Sequence, residues 1–597
     1  MRLLKRKIIV SLLFLFLTLA NFTSADTLGQ SQSFFISPQY DAKSRTQVLA
    51  TLRSISNHAY FYIEDGYWNS INSGARTQLL NWVTSLGQEF DNRIYPLETQ
   101  FFGSEPNPGV DNDPRITILI SPLIENAGGY FDTSNGYKKE EVSNSNEREM
   151  IYLNVNSLAD LRRAGTFLAH EFQHLISFNQ KEKIRNVSDD IWLNELRSQY
   201  AVTLLGYNDN FLGSDLEKRL EAFLENPSDS LTEWKNLPAD YGQITLFGEY
   251  LAEHWSPMVI ADTLKKSAIG ISSLNEALKQ NGFSDSFLDT FSQWVAANFL
   301  NDTSINQKFG YSREGLKNLR IAPTRSFTNL DDNMVFAVSD FIKDWQAKWY
   351  EISNFPVGKK NFLKVDFSSP SLASFRVFYL VLKNDGSQLF SVFNPTPTAS
   401  VLYPEDIVSI KKIVFMPIKT DKIAGFSSQE TPLLLTLSFQ RVESIPQGVS
   451  IGSQQSSNIA PSLTQPAPVV QSEKISFPLP GIPDGSLIRA ENDYKVYVVN
   501  GKWRRHIISP KIFSFYSHLG FDKVKVVSPS VLAQYQESNL IRYQFGEKVY
   551  SVDESGVKHW LHITAEQFLA SGRSWDSIFI VNLPELNFYK QGAEIRN

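Results

Sequence analysis

The 597-residue chain contains no cysteine. That excludes disulfides, a thiolate metal site and a lipid-modified N-terminal cysteine, and it suits an exported bacterial protein. Strong charge of either sign is also lacking: 57 basic against 63 acidic residues leave a net −6. So mild a balance makes no case for nucleic acid or an anionic membrane as partner. Beyond the N-terminus no run is long and apolar enough to span a bilayer, so no transmembrane segment is expected in the mature chain. Histidine is scarce, with 8 residues, so two histidines at a meaningful spacing are informative. The composition is otherwise globular, 42% hydrophobic and 20% charged, and the length leaves room for three or four domains.

The N-terminus has its own pattern. Arg2, Lys5, Arg6 and Lys7 precede a compact apolar run at 8–20, and Thr23-Ser24-Ala25 supplies small residues before Asp26. This is the layout of a secretory signal peptide. The apolar run is shorter than the ~20 residues a membrane span needs. The mature protein is expected to be secreted and extracellular, with the cell surface as its alternative location.

The most informative stretch is 166–200. His170-Glu171-Phe172-Gln173-His174 forms H-E-x-x-H. On an α-helix, residues i and i+4 share a face. Two imidazoles so placed can bind one Zn²⁺ from one side, with the Glu beside them in reach of a water on the metal. Residues 164–179 contain no proline, and Leu168, Phe172, Leu175 and Ile176 form an apolar arc, so a buried helix is expected. A catalytic zinc usually takes three protein ligands. Glu195 lies 21 residues after His174, in a second apolar-periodic segment at 191–205 that Asp189 and Asp190 are placed to cap. A lone histidine on an apolar helix is commonly a satisfied core residue; a pair around a Glu, with a second Glu-bearing helix downstream, favours zinc.

The order H-E-F-Q-H-L-I-S-F-N, then W-L-N-E at 192–195 and S-Q-Y-A at 198–201, resembles the gluzincin metallopeptidases, most closely the hyicolysin-like neutral peptidases of bacteria. P-G-V-D-N-D-P-R-I-T-I-L at 108–119, G-G-Y-F at 128–131 and N-E-R-E-M-I-Y-L-N at 146–154 agree with it. The resemblance runs from about residue 50 to 302. It implies one zinc per chain on His170, His174 and Glu195, Glu171 as general base, and hydrolysis of peptide bonds in extracellular protein or peptide substrates. There are two departures. Family members commonly read N-E-G-L-S-E-Y where this chain has N-E-L-R-S-Q-Y. Leu196 thus replaces a small residue, and Gln199 stands where an acid commonly accepts a hydrogen bond from a ligand histidine. Gln199 can accept that bond through its carbonyl, without the charge. The departures motivate an alternative: a catalytically weak or inactive zincin scaffold acting in cell-surface or cell-wall binding through its C-terminal modules.

Other segments complete the expectation. Strands are expected at 59–63, 115–121 and 150–154, and helices at 75–95, 215–224, 243–255 and 284–299. The resemblance places at 128–133 an edge strand that pairs with extended substrate. It also implies an oxyanion donor from the helical half, with Tyr241 ranked ahead of Tyr200 and His254. Asp111 and Asp113 could hold Ca²⁺, or Asp111-Asn112-Asp113 could form an Asx turn. Short alternating runs at 362–367, 375–382, 407–416 and 433–439 read as an antiparallel sandwich. In the tail, Leu487-Ile488-Arg489 recurs as Leu540-Ile541-Arg542 and Lys495-Val496-Tyr497 as Lys548-Val549-Tyr550, a period of 53 residues. Each unit reads as two short strands, a helix (510–516 or 565–571) and another strand. Its aromatic and basic residues either bind cell-wall or surface glycan or form a core.

The expected fold class is therefore multidomain. A signal peptide (1–25) precedes an α+β zincin-like metallopeptidase domain (26–330) and an all-β sandwich domain (331–443). A Ser/Gln/Pro-rich linker (444–475) then leads to a small α+β tandem-repeat domain of two units (476–597).

Overall fold

The computed structural model describes residues 25–596 apart from 370–372, 396–398, 448, 453, 457–478, 480, 492–494, 517–518, 521–522, 544–547 and 554. The expected signal peptide, except Ala25, and most of the expected linker lie outside the described residues. The chain is multidomain and α plus β, with several sheets. It divides into two compact units. The first holds the described residues up to Leu231, Asn236–Ala322 and the short return Ile423–Gly425; the second holds Thr232–Lys235, Pro323–Lys422 and the described residues from Phe426 onward.

In the first unit the elements follow the order β1 (Ser31–Phe35), β2 (Gln47–Ile55), β3 (Ala59–Glu64), α1 (Asp65–Ser70), α2 (Ser73–Glu89), α3 (Tyr95–Phe102), β4 (Ile116–Ser121), β5 (Gly129–Phe131), β6 (Met150–Asn154), α4 (Leu161–Ser177), α5 (Ile191–Leu204), α6 (Asp215–Glu225), α7 (Pro238–His254), α8 (Pro257–Asp262), α9 (Gly270–Gln280) and α10 (Phe287–Leu300). The sheet order is β1-β2-β3-β4-β6-β5. Strands β3, β4 and β6 run parallel. Every residue in these three is buried, which is why they read as continuous apolar runs rather than alternating ones. The helix expected at 75–95 passes from α2 through a π-helical turn, Phe90–Ile94, into α3. Phe90 and Tyr95 meet Phe172 of α4 at ring-centroid distances of 5.0 and 5.6 Å. Burying a ring such as Phe172 contributes about 1.5–3 kcal/mol and sets the helix depth against the sheet.

The second unit contains two five-stranded sheets, from β7 (Arg325–Thr328), β8 (Val335–Ile342), β9 (Tyr350–Ser353), β10 (Phe362–Ser368), β11 (Phe375–Lys383), β12 (Gln388–Phe393), β13 (Ala399–Leu402), β14 (Ile410–Lys419), β15 (Leu433–Val442) and β16 (Gln454–Ser456). Their orders are β16-β13-β10-β15-β8 and β12-β11-β14-β9-β7. Pairing is antiparallel as expected, except that β7 lies parallel to β9; one short strand entering from the preceding loop departs from the pattern. Val365, Phe367, Val377, Tyr379, Phe415, Leu437 and Phe439 share the buried core.

The tail forms two further sheets, one per sequence repeat. Strands β17 (Leu487–Ala490), β18 (Tyr497–Asn500), β19 (Trp503–His506), β20 (Val524–Val527) and β21 (Gln536–Glu537) take the order β20-β17-β18-β19-β21. Strands β22 (Leu540–Tyr543), β23 (Val549–Val552), β24 (Val557–Trp560), β25 (Ile578–Val581) and β26 (Lys590–Gln591) take the same order, β25-β22-β23-β24-β26. Three strands precede the helical turn rather than the two expected, because the turn at Gly501 folds W-R-R-H back onto the second strand. The turn Pro510–Phe515 is 3₁₀, whereas Ala565–Ala570 is α-helical. Among the described residues no helix is long and apolar enough to cross a membrane.

Candidate metal centre

Helix α4 is opened by Asp160, whose side chain accepts from the backbone N–H groups of Arg162 and Arg163, a standard N-cap. Its apolar arc, Leu168, Phe172, Leu175 and Ile176, is fully buried. The opposite edge carries His170 and His174, whose Nε2 atoms approach to 3.1 Å. Glu195 arrives from α5: Oε2 lies 3.3 Å from His170 Nε2 and Oε1 lies 3.6 Å from His174 Nε2. Among the described residues, these three form the group of His, Asp and Glu side chains whose ligand atoms gather within 4.8 Å.

The expected caps of α5 do something else. Asp190 occupies the N-cap position without capping, and its Oδ1 instead accepts from Gly425 N at 2.7 Å. Asp189 binds Arg197 Nη1 at 2.9 Å and the N–H of Gly270 at 2.8 Å. Both carboxylates are drawn to stronger partners, a guanidinium and loop N–H groups, so the helix start is held by tertiary contacts rather than by a local cap.

Each imidazole is oriented from behind. Ser198 donates to Gln173 Oε1 at 2.7 Å. Its hydroxyl proton is thereby committed, so its oxygen accepts from His174 Nδ1, 3.1 Å away. Asn194 Oδ1 lies 3.4 Å from the same nitrogen. Nδ1 of His174 therefore carries the hydrogen and Nε2 presents its lone pair. The Gln199 amide comes to 3.4 Å from His170 Nδ1.

The residues present fit a divalent cation. Glu195 Oε2 is buried and accepts no hydrogen bond, which is costly for a carboxylate unless a cation answers it. Two ring nitrogens and this oxygen converge on one point, the N₂O donor set that suits zinc. The electrostatics agree. Burial pushes the Glu171 carboxyl up to about 7, with Glu195 adding and His170 opposing. Burial pulls the His174 ring down to about 4 against the pull of Glu195. For His170 burial acts in the same direction, but the nearby Glu195 and Glu171 carboxylates outweigh it and shift the ring up. For Glu195 burial pushes upward, and the two histidines more than reverse it.

Strand β5 forms the edge of the sheet beside Glu171. A β-carbon on Gly128 would sit 2.4 Å from the Phe167 ring, and one on Gly129 would sit 2.7 Å from the Tyr152 carbonyl and 3.1 Å from Glu171 Cγ. Phe167 and Glu171 are one helical turn apart on α4, so the helix presses its i and i+4 side chains onto a strand that can yield only if it carries glycine. Tyr130 of β5 stacks between Tyr152 (4.1 Å) and Tyr40 (4.6 Å). The Tyr40 phenol is shifted up by burial, then by Glu171 and Glu195, which brings this residue of the β1–β2 loop to the site.

The three oxyanion candidates separate. Tyr241 opens α7; its hydroxyl donates to Asn236 Oδ1 at 2.9 Å, and the Arg219 guanidinium lies 4.4 Å from its ring centre. Burial, then the Glu195 carboxylate, shifts this phenol up. Tyr200 is shifted up by burial and by Glu249, not by Glu171 or Glu195. His254 Nε2 lies 2.9 Å from the Gly310 carbonyl oxygen. Only Tyr241 among the three senses both site glutamates.

The possible calcium ligands are otherwise engaged. Asp111 Oδ1 accepts from Asp113 N at 2.9 Å, the Asx turn. Asp113 accepts from Tyr60 OH at 2.8 Å and from Arg115 N at 3.0 Å. With no third carboxylate or histidine among the described residues joining them in a ligand group, calcium has no support here. Sequence reading missed Ser198, Asn194, Gln173, Tyr40, Asp215 and Arg219. Gln173, Asn194 and Ser198 lay within the motifs H-E-F-Q-H, W-L-N-E and S-Q-Y-A without a role being read for them; Tyr40, Asp215 and Arg219 carried no signal.

No protein-family model matches the chain. Over 201 residues, 29% of this chain, the sequence is 30% identical to the neutral metalloprotease ShpI of Staphylococcus hyicus. Over that stretch the chain resembles a neutral metalloprotease. The match covers 43% of that relative, less than half its length. A solved structure, the catalytic module of the metalloprotease ZmpA from Clostridium perfringens, aligns over 60% of this chain and 66% of its own at 10% identity, with a TM-score of only 0.22.

Proposed function

We propose that the protein is a secreted zinc-dependent endopeptidase acting on extracellular proteins. The observation that carries this is the convergence of His170 Nε2, His174 Nε2 and a donor-less Glu195 Oε2 beside a base tuned to about 7. Zinc held by these three residues would polarise the scissile carbonyl and acidify the attacking water. Glu171 takes the proton of that water on its carboxylate and delivers it to the departing amine nitrogen. Burial raises the Glu171 carboxyl, which opposes the lowering by a bound cation and helps it hold the proton between the two halves of that transfer. Ser198 and Asn194 hold His174 with Nε2 forward. Tyr241 donates to the oxygen that gains charge. The free edge of β5 receives the extended substrate backbone by strand addition.

The alternative, a scaffold without activity, rests on Leu196 and Gln199, and both residues have matched surroundings. Leu196 packs against Gly248 of α7, where even a β-carbon would stand 3.4 Å from its side chain; the large residue on one helix meets the smallest on the other. Gln199 lies between Asp215 and Arg219. These accommodations favour the peptidase. Hydrolysis of unfolded casein by the chain from Asp26, with and without a chelator and with zinc quantified, tests the reading. Chelator-sensitive cleavage is expected; bound zinc without cleavage of casein or peptides would favour the scaffold. A wall or surface glycan as partner of the tail is a separate proposal. Retention on insoluble cell walls by the full chain, but not by a chain ending at residue 443, tests it.

A further inference from the structure

Gln199 lacks the charge that commonly stands behind a ligand histidine, and an amide brings a second problem: it has two ends. A planar amide can be set in two orientations of the same shape. In one, its carbonyl would face the Asp215 carboxylate and its NH₂ the Arg219 guanidinium, acceptor against acceptor and donor against donor. In the other, the NH₂ donates to Asp215 Oδ2 at 2.8 Å and the carbonyl accepts from Arg219 Nη2 at 3.2 Å. Only this second orientation satisfies both neighbours. It turns the carbonyl oxygen towards His170 Nδ1, 3.4 Å away. Nδ1 must then hold the hydrogen, and the Nε2 lone pair points at Glu195 and His174.

We propose that Asp215 and Arg219 are positioning residues for His170. By claiming the two ends of the Gln199 amide they fix its direction, and through it the ring tautomer that leaves Nε2 free for a metal. The pair is itself held in place: Arg219 Nε donates to Asp215 Oδ2 at 3.1 Å, one turn apart on α6, with both side chains 15% exposed. An acceptor-only group and a donor-only group at the two ends of an amide leave it one choice. The negative charge commonly found at position 199 stands here one side chain further out, at Asp215. Its importance as a partner of His170 rests on the reading of His170 as a metal ligand.

The test exchanges the two groups. Zinc affinity of the full chain is measured by competition with a chromogenic chelator for the native protein, Asp215→Asn, Gln199→Glu and the double variant. Asp215→Asn gives the Gln199 amide a partner that can turn either way, and Gln199→Glu sets two carboxylates against each other. Each single change should weaken binding by about tenfold or more. The double variant restores one carboxylate and one amide in reversed places, and should bind more tightly than either single. A double variant no tighter than the weaker single, or Asp215→Asn within about twofold of native, would overturn the proposal. The second readout needs no metal: ¹⁵N NMR of the His170 ring in the metal-free full chain, at a pH where the ring is neutral. A hydrogen on Nδ1 is expected, and a hydrogen on Nε2 would overturn it. If the native chain binds no zinc, the peptidase reading fails on its own, and the tautomer still decides the amide lock.

Discussion

Two glutamates, one in each unit, show how differently a charge can be held. Glu585, in the tail, is fully buried, and both of its oxygens are answered. Oε1 accepts from Arg505 Nη1 at 2.7 Å and Tyr589 OH at 2.6 Å, and Oε2 from Tyr516 OH at 2.5 Å. Arg505 and Tyr516 come from the first repeat, and Glu585 and Tyr589 from the second, so this cluster ties the repeats together. The Glu195 side chain is more open, 15% exposed, yet its Oε2 atom is buried, accepts no hydrogen bond, and the carboxylate's neighbours are two ring nitrogens. A third case separates the two: Glu98 is fully buried, neither oxygen has a hydrogen-bond partner, and burial raises its carboxyl well above the usual range. Burial therefore favours its neutral form. A buried carboxylate is paired, protonated or answered by a cation: Glu585 is paired, burial favours the neutral form of Glu98, and for Glu195 the proposed function supplies the cation.

The contrast can be broken at several points, the largest effect first. Glu171→Gln should lower kcat on peptide substrates by about 10²–10⁴-fold while zinc content stays at the native level; near-normal turnover would remove Glu171 from the role of base. Glu585→Ala should do the reverse. Leaving Arg505 buried without its anion costs about 3–5 kcal/mol, seen as denaturation of the tail at lower urea, with zinc binding unchanged. Next is pH. The Glu171 carboxyl lies above its ordinary value, at about 7, so the metal-free fold binds this proton more tightly than the unfolded chain does. Its contribution is fully present below the ordinary value of 4.5 and lost as pH rises through about 7. At about 1.4 kcal/mol per unit, the difference amounts to about 3 kcal/mol. Comparing urea midpoints across that window for native and Glu171→Gln protein should show the slope reduced in the variant; equal slopes would sink the assignment. For catalysis the sign is opposite, since only the carboxylate can accept the proton. Activity should rise with pH along a limb at or below about 7, because a bound cation lowers the value further. The smallest effect is Gly129→Ala. The added methyl meets the Tyr152 carbonyl and Glu171, costing about 1–3 kcal/mol and displacing the Glu171 side chain; native stability and activity would mean that α4 does not press on β5.

Much of the site was legible because its chemistry is local. His170, Glu171 and His174 sit on one helix, where spacing alone decides which side chains share a face. Glu195 was reachable through a second periodic segment. The parallel strands β3, β4 and β6 announced themselves as apolar runs because both of their faces are covered. Less legible were contacts that exist only between elements. Ser198 orients His174 because α5 packs on α4 through Gln173. Asp215 and Arg219 look in sequence like an ordinary surface pair at i,i+4 spacing, and Tyr40 reaches the site from a loop far upstream. Asp189 and Asp190 misled for the same reason: they have the residue type of a helix cap, but Arg197, Gly270 and Gly425 compete for them. Neither sheet order nor the parallel entry of β7 is written in any local pattern, since both follow from which faces meet.

The most direct test of the central claim is the metal stoichiometry of the purified full chain beside Glu195→Gln and Glu585→Gln, each dialysed against trace zinc and analysed for bound metal. One zinc per chain in the native protein and in Glu585→Gln, with loss of tight zinc in Glu195→Gln, is the predicted result. A native chain that retains no zinc, or a Glu195→Gln chain that holds it as tightly as the native one, would contradict the reading of this unanswered carboxylate as a ligand.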